Sequence, residues 1–373
     1  MPAEQNQFLP FLSRSSRFHI STRTATLVAL VFFCFGVDVR RTQAQSSLSP
    51  GPKPAEIQTK WKDFVGDYGP ENDAYTYFVV ERNGDLFLVR KSGGEAKLEE
   101  IGPNAYSVSS SIIPRTYNPP LRRASNGVVT LQIGDIGYFR RNYLAQSDQI
   151  YRIHPLHPVE ELRKAALLDS PPRENRTFRQ PELVEIATLD ASIHLDIRYA
   201  TSNDFLGTPV YSQARAFLQR PAAEALLRIQ QKLKSLGYGL LIHDAYRPWY
   251  VTKIFWDATP PEGKIFVADP AQGSRHNRGC AVDLTLYDLA TGKPVEMPGT
   301  YDEMSPRSFP DYPGGTSLQR WHRDLLRRAM ESEGFSVYES EWWHFDFKDW
   351  REYPILNLPF EKLDSGHGSA LVH

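Results

Sequence analysis

Residues 274–286 read SRHNRGCAVDLTL. His276 and Asp283 stand seven residues apart, with Gly279 between them, and the aspartate lies inside an apolar, strand-like run. A strand that only fills a core has no use for a carboxylate, because a buried charge without a partner is costly. A metal site does have a use for it. Imidazole nitrogen and carboxylate oxygen are both metal donors, and a glycine lets the backbone turn closely between them. Two donors do not complete a catalytic site, which takes three protein ligands and an open position. The rest of the chain has to supply the third.

The stretch EWWHFDF, 341–347, offers it in His344. Glu341 stands three residues earlier, and a carboxylate beside a metal ligand can take a proton from metal-activated water. In an ideal strand these two side chains would point to opposite faces. The segment therefore bends at Trp342-Trp343, or Glu341 lies just before the strand; the sequence leaves both open. In DAYRP, 244–248, Arg247 closes an apolar strand immediately before Pro248. There it either donates to a developing oxyanion or a substrate carboxylate, or makes a structural salt bridge. With only two cysteines, Cys34 and Cys280, there is neither a disulfide framework nor a thiolate zinc cluster, so any metal is held by nitrogen and oxygen.

The surrounding pattern is mixed. PAAEALLRIQQKLKSLGYG has Pro221 at a helix start, apolar residues at helical spacing and Gly237 as a stop. TSLQRWHRDLLRRAMESEG is amphipathic, with Thr316 and Gln319 as a capping box and Gly334 as its end. SIHLDIRYAT, GLLIHDAYRP and FSVYESEWWHFDF read as strands. Helices and strands without regular alternation give an α+β domain over 183–363. Earlier in the chain, Asn83-Gly84 and Asn126-Gly127 sit between β-prone runs, the short-range mark of hairpins. A small antiparallel β-domain is expected over 57–153, with Ser/Pro/Gly-rich 45–56 and Pro-rich 154–182, the latter holding a short helical stretch, as linkers and 364–373 as a polar tail. WKDFVGDYG and the meander after it resemble the small β-domain appended to secreted β-lactamase-like hydrolases. His154 and His157 each precede proline and are expected in a solvated loop, and His194, His243 and His322 in packing or capping roles.

Net charge is −1 over 373 residues, so no basic field draws nucleic acid, and finger spacings and RNA-binding motifs are absent. Arg14, Arg17 and Arg23 precede the apolar run 25–37, and Thr42 and Ala44 give a small-residue exit before Gln45. This describes a secretory signal over 1–44 and a secreted or periplasmic protein with no membrane span in its mature form. An uncleaved anchor is the alternative.

Taken together, in the order Arg, His-x6-Asp, Glu-x2-His, the pieces are specific. The pattern SxHxxGxAxD with EWWH resembles the zinc D-Ala-D-Ala peptidases, a group sharing its fold with the hedgehog signalling domain. DIRYATSNDFLG, DAYRP, SRHNRGCAVDLTL, GTYDEMSPRS and EWWHFDF look like the D-alanyl-D-alanine dipeptidases, including the vancomycin-resistance type. The resemblance covers about 183–360 and leaves the β-domain out. It implies one Zn²⁺ bound by His276, Asp283 and His344, Glu341 as general base and then acid, and Arg247 on the oxyanion. It further implies Ser274 and Asp302 as substrate contacts, Asp302 toward an N-terminal ammonium, with Tyr199 lining the pocket. The substrate implied is D-Ala-D-Ala or a related peptidoglycan-derived peptide. A D,D-carboxypeptidase acting on stem peptides and a non-catalytic wall-binding module remain alternatives. Cys280, beside the metal motif, is expected as a buried bystander.

Overall fold

Asn83 and Gly84 have φ of 51° and 83°, the left-handed pair that a two-residue hairpin turn demands. They join β2 (Tyr77–Arg82) to β3 (Asp85–Arg90). The computed structural model describes residues 48–70, 76–108, 120–142 and 151–363. The expected signal segment and polar tail lie outside the described residues. The hairpin belongs to an eight-stranded antiparallel meander. It starts with β1 (Gly66–Tyr68) and continues past β3 through β4 (Glu95–Gly102), β5 (Ala105–Val108), β6 (Leu121–Arg123), β7 (Val129–Ile133) and β8 (Ile136–Phe139). Tyr68 bridges Arg140 just past β8, and the Arg141 N–H donates to the Asp67 carbonyl at 2.7 Å, so the meander closes on itself. Phe64, Tyr68, Val79, Leu88, Leu121 and Leu131 fill its interior.

Residues 154–182, expected as a linker, carry a helix, α1 (Val159–Leu168). Its Val159, Leu162 and Ala166 enter the same core as the domain that follows, so this stretch is built into the fold. After it come β9 (Leu183–Glu185) and β10 (His194–Leu195). SIHLDIRYAT yields only that two-residue strand and a tight turn over Arg198–Ala200. Next are β11 (Phe217–Gln219), α2 (Arg220–Lys234), β12 (Tyr238–Asp244), α3 (Trp249–Ala258) and β13 (Ala281–Asp288). The domain ends with α4 (Ser317–Glu331), β14 (Phe335–Tyr338) and β15 (Glu341–Phe347). Thr316 and Gln319 form the reciprocal capping box of α4. The main sheet runs β10-β12-β13-β15-β14, antiparallel apart from β10 with β12, while β9 and β11 pair separately.

Strand alternation divides the labour of this sheet. Leu240, Ile242, Leu284, Leu286 and Phe345 share a core with Leu226, Ile229 and Leu233 of α2 and with Leu325, Leu326 and Ala329 of α4. Asp283 lies opposite His344, and both occupy the other face. Among the described residues, no helix is long and apolar enough to cross a membrane.

Candidate active site

His276 sits in a tight turn that ends at Gly279, where φ is 66° and an added Cβ would fall 2.4 Å from Leu183. The glycine is thus fixed by both conformation and space, and the turn delivers His276 beside the start of β13. The register of β13 on β15 then brings in Asp283 and His344. His276 Nε2 lies 3.3 Å from Asp283 Oδ1 and 3.1 Å from His344 Nδ1, and His344 Nδ1 lies 3.1 Å from Asp283 Oδ1. All three residues are buried.

The partners of the remaining atoms decide what this triangle is. His276 Nδ1–H donates to the Ala245 carbonyl at 2.6 Å, and His344 Nε2–H donates to Asp346 Oδ1 at 2.9 Å. Each imidazole is held so that its lone pair faces inward. Asp283 Oδ2 accepts from Tyr301 Oη at 3.1 Å, whereas the buried Oδ1 has no hydrogen-bond partner among the described residues. Donors about 2.0–2.1 Å from one tetrahedral ion stand about 3.3–3.4 Å apart, close to the separations found here. Two inward lone pairs and an orphaned carboxylate oxygen at that spacing fit a divalent cation.

Glu341 Oε2 is 3.6 Å from His344 Nδ1. The two reach the same site because β15 is irregular: Val337 pairs with Phe345, yet Tyr338 pairs with Glu341, so three residues of β15 bulge against none of β14. The structure thus selects a bend over the start of the strand as the way Glu341 escapes strict alternation. Burial pushes its carboxyl up to about 7, against the pull of His344.

Arg247 is gripped by Asp244, whose Oδ2 accepts from Nε at 2.9 Å and from Nη2 at 2.8 Å. Nη2 also lies 3.7 Å from Asp283 Oδ2. Burial works against the Arg247 charge, but Asp244, with Tyr199, Tyr211 and Asp283 behind it, outweighs burial and holds the guanidinium protonated. Asp302 has φ 56°, an uncommon conformation for a non-glycine residue, and accepts from Tyr199 Oη at 2.8 Å. Burial first, then the Asp283 charge, push its carboxyl well above the usual range. Ser274 Oγ accepts the His276 N–H at 3.2 Å and so also fixes the turn. All eight expected residues line one cavity of about 80 Å³.

A family model described as D-ala-D-ala dipeptidase matches residues 179–362. The D-alanyl-D-alanine dipeptidase of Escherichia coli is 35% identical over 175 residues, covering 47% of this chain and 89% of the relative. The chain belongs to the D-Ala-D-Ala dipeptidase family of metallopeptidases. The enzymes of the same name from Enterococcus faecalis and Streptomyces coelicolor are 36% and 35% identical, over 46% and 43% of this chain and 95% and 89% of theirs. These matches lie in the C-terminal half, downstream of the barrel.

Four groups of this peptidase escape a reading by motif. Asp346 orients His344, and its position two residues along the same strand, hence on the same face, was a usable signal. Asp244 owes its place to a bulge at His243: Ile242 pairs with Leu284, but Asp244, not His243, pairs with Asp283. Tyr301 arrives on a loop distant in sequence, and the Ala245 carbonyl carries no side-chain signal at all. Cys280 is fully buried, with its thiol pushed far up by burial, as an inert packing residue would be.

Proposed function

We propose that this chain hydrolyses D-alanyl-D-alanine with one Zn²⁺. The observation that carries the proposal is the inward-facing triangle of His276 Nε2, Asp283 Oδ1 and His344 Nδ1, with the Glu341 carboxyl beside it. Two imidazoles and one carboxylate form the donor chemistry of catalytic zinc, not the oxygen-rich sets favoured by calcium or magnesium. When bound, the ion would supply a Lewis acid that polarises the amide carbonyl and makes water more acidic.

The chain's own groups account for the rest. Glu341 takes one proton from the attacking water and returns one to the departing amine as the C–N bond breaks. Burial favours the protonated form of this carboxyl, which the second transfer needs. Arg247, locked by Asp244, donates to the oxygen on which charge develops. Asp302 faces the substrate ammonium; burial disfavours its charge on its own, so a cation is the partner it lacks. Tyr199 holds that carboxylate in place, and Ser274 supports the wall beside His276. A cavity of about 80 Å³ is small beside ordinary ligand pockets, which favours a free dipeptide over a stem peptide. The names of the relatives point the same way, and the arginine-flanked apolar segment 25–37 supports export toward wall-derived peptides.

The test compares hydrolysis of free D-Ala-D-Ala with that of an N-acylated peptide ending in D-Ala-D-Ala, with and without chelator. Hydrolysis of the free dipeptide, lost to chelator and restored by Zn²⁺, is expected. Preference for the acylated peptide would replace the dipeptidase with a carboxypeptidase, and inactivity on both with zinc present would overturn the proposal.

A further inference from the structure

A larger cavity, about 470 Å³, lies between the closed β-meander and the functional face of the main sheet. It stands beside the catalytic cavity, with the Tyr301-Asp302 loop as the partition: Tyr301 lines the larger cavity and Asp302 the smaller one. Its floor includes Thr285 of β13 and Trp342 of β15. Continuing the register of Asp283 on His344 by two positions places Thr285 opposite Trp342.

Both are nine-tenths or more buried, and Thr285 Oγ1 and Trp342 Nε1 have no hydrogen-bond partner among the described residues. Leaving a buried donor unmet costs about 1–3 kcal/mol, so two in the lining of one cavity call for a partner the chain does not provide. In the cavity lining itself, cations outnumber carboxylates. Lys62 and Arg140 line it from the barrel side and Arg198 and Arg307 from the peptidase side, against the single carboxylate of Glu296. Arg198 is matched by Asp196 at 2.6 Å and Arg307 by Glu303 at 3.4 Å, both from outside the lining, and Arg140 Nε donates to the Val65 carbonyl at 3.0 Å. Indole, ammonium and guanidinium groups donate and do not accept.

We infer that this inter-module cavity is a second ligand site, distinct from the catalytic one, and that it takes a small acceptor-rich anion bearing a carboxylate or phosphate group. The anion sits on the β13–β15 floor, where Trp342 Nε1–H and the Thr285 hydroxyl donate to it, with the cationic rim supplying the field. Only this fold makes the site, because neither the barrel nor the peptidase sheet alone encloses it.

The inference is independent of the substrate proposed above and is tested by binding. Succinate and inorganic phosphate are titrated into the full chain by calorimetry, alongside Thr285→Val, which removes one donor and keeps the shape, and Trp342→Phe, which removes the other and leaves a smaller ring. One probe molecule per chain is expected, with affinity reduced about five- to tenfold in each variant. Preference for succinate assigns a carboxylate ligand and preference for phosphate a phosphate; either supports the site. No binding of either probe in the millimolar range overturns it, as does binding that both variants leave unchanged, which would place the anion elsewhere. A fall in Tm of more than about 5 °C in both variants without probe also overturns it. The two groups would then be bonded to fixed water within the fold.

Discussion

His344 offers the site its Nδ1 lone pair only because Asp346 occupies the opposite nitrogen. Asp346→Ala is therefore expected to weaken metal affinity about 10–100-fold while leaving the fold in place, which a chelator-competition titration measures. Glu341 sits outside the donor triangle. Glu341→Gln should keep full metal content by elemental analysis and lose at least about 100-fold in turnover; turnover near wild type would remove Glu341 from the proton transfer. Asp204 makes a separate statement about pH. Its Oδ1 accepts from the Leu206 and Gly207 N–H groups, its buried Oδ2 has no partner among the described residues, and burial pushes the carboxyl up to about 6. The folded state thus binds this proton more tightly than the unfolded chain does, so the group favours folding at low pH, and that contribution is lost as pH rises from about 4 through about 6. Asp204→Asn keeps the Oδ1 acceptor without the charge. It should be more stable than wild type at about pH 8, by on the order of 2 kcal/mol, with the difference closing below about pH 4 in denaturant melts.

At the scale of elements, the site is made by departures from regularity. The bulge at His243 turns Asp244 toward Arg247, and the irregular pairing of β15 brings Glu341 round to His344. The sequence announces donor types and their spacing, because His276, Asp283 and His344 must be those residues wherever the strands end up. It does not announce a bulge, which depends on how two strands pair, whether they lie some forty residues apart as β12 and β13 do or follow one another as β14 and β15 do. That is why Asp244 was invisible as a partner and Glu341 could be placed only as one of two alternatives. Helix ends were legible for the opposite reason: a cap is a local event. Thr316 Oγ1 accepts the Gln319 N–H at 3.1 Å at the start of α4, and Thr316→Ala should cost about 1 kcal/mol, read as a lower denaturation midpoint with an unchanged slope. The helix α1 was legible as a short helical stretch, but it is flanked by prolines and charge, so the segment resembles a linker although Val159, Leu162 and Ala166 are buried.

At the scale of the molecule, the barrel is docked against the peptidase domain, a relation no local pattern encodes. Glu81, at the hairpin end of β2, is 3% exposed and serves both sides. Its carboxylate accepts from the Gly84 N–H within its own turn and from the Ser317 N–H in the first turn of α4, each at 2.8 Å. Its carbonyl accepts from Ser317 Oγ at 3.0 Å and Arg320 Nη2 at 2.6 Å. Nearby, Tyr312 Oη donates to the Asp67 carboxylate, and its ring meets Phe78 edge-on at 5.9 Å. Shared buried contacts of this kind couple two modules into one melting unit. Glu81→Ala strips two backbone donors of their acceptor, one in each module, so about 1–3 kcal/mol is expected to be lost, a fall in Tm of a few degrees. Glu81→Gln keeps an acceptor oxygen for only one of the two N–H groups and turns an NH2 donor toward the other, so it should recover about half of the loss at most. Calorimetry should show a single transition for the wild type, and the Ala variant should broaden or divide it as the barrel loosens first. Two separate transitions already present in the wild type would show that the barrel and the peptidase domain fold independently, and that Glu81 joins surfaces without coupling their stability.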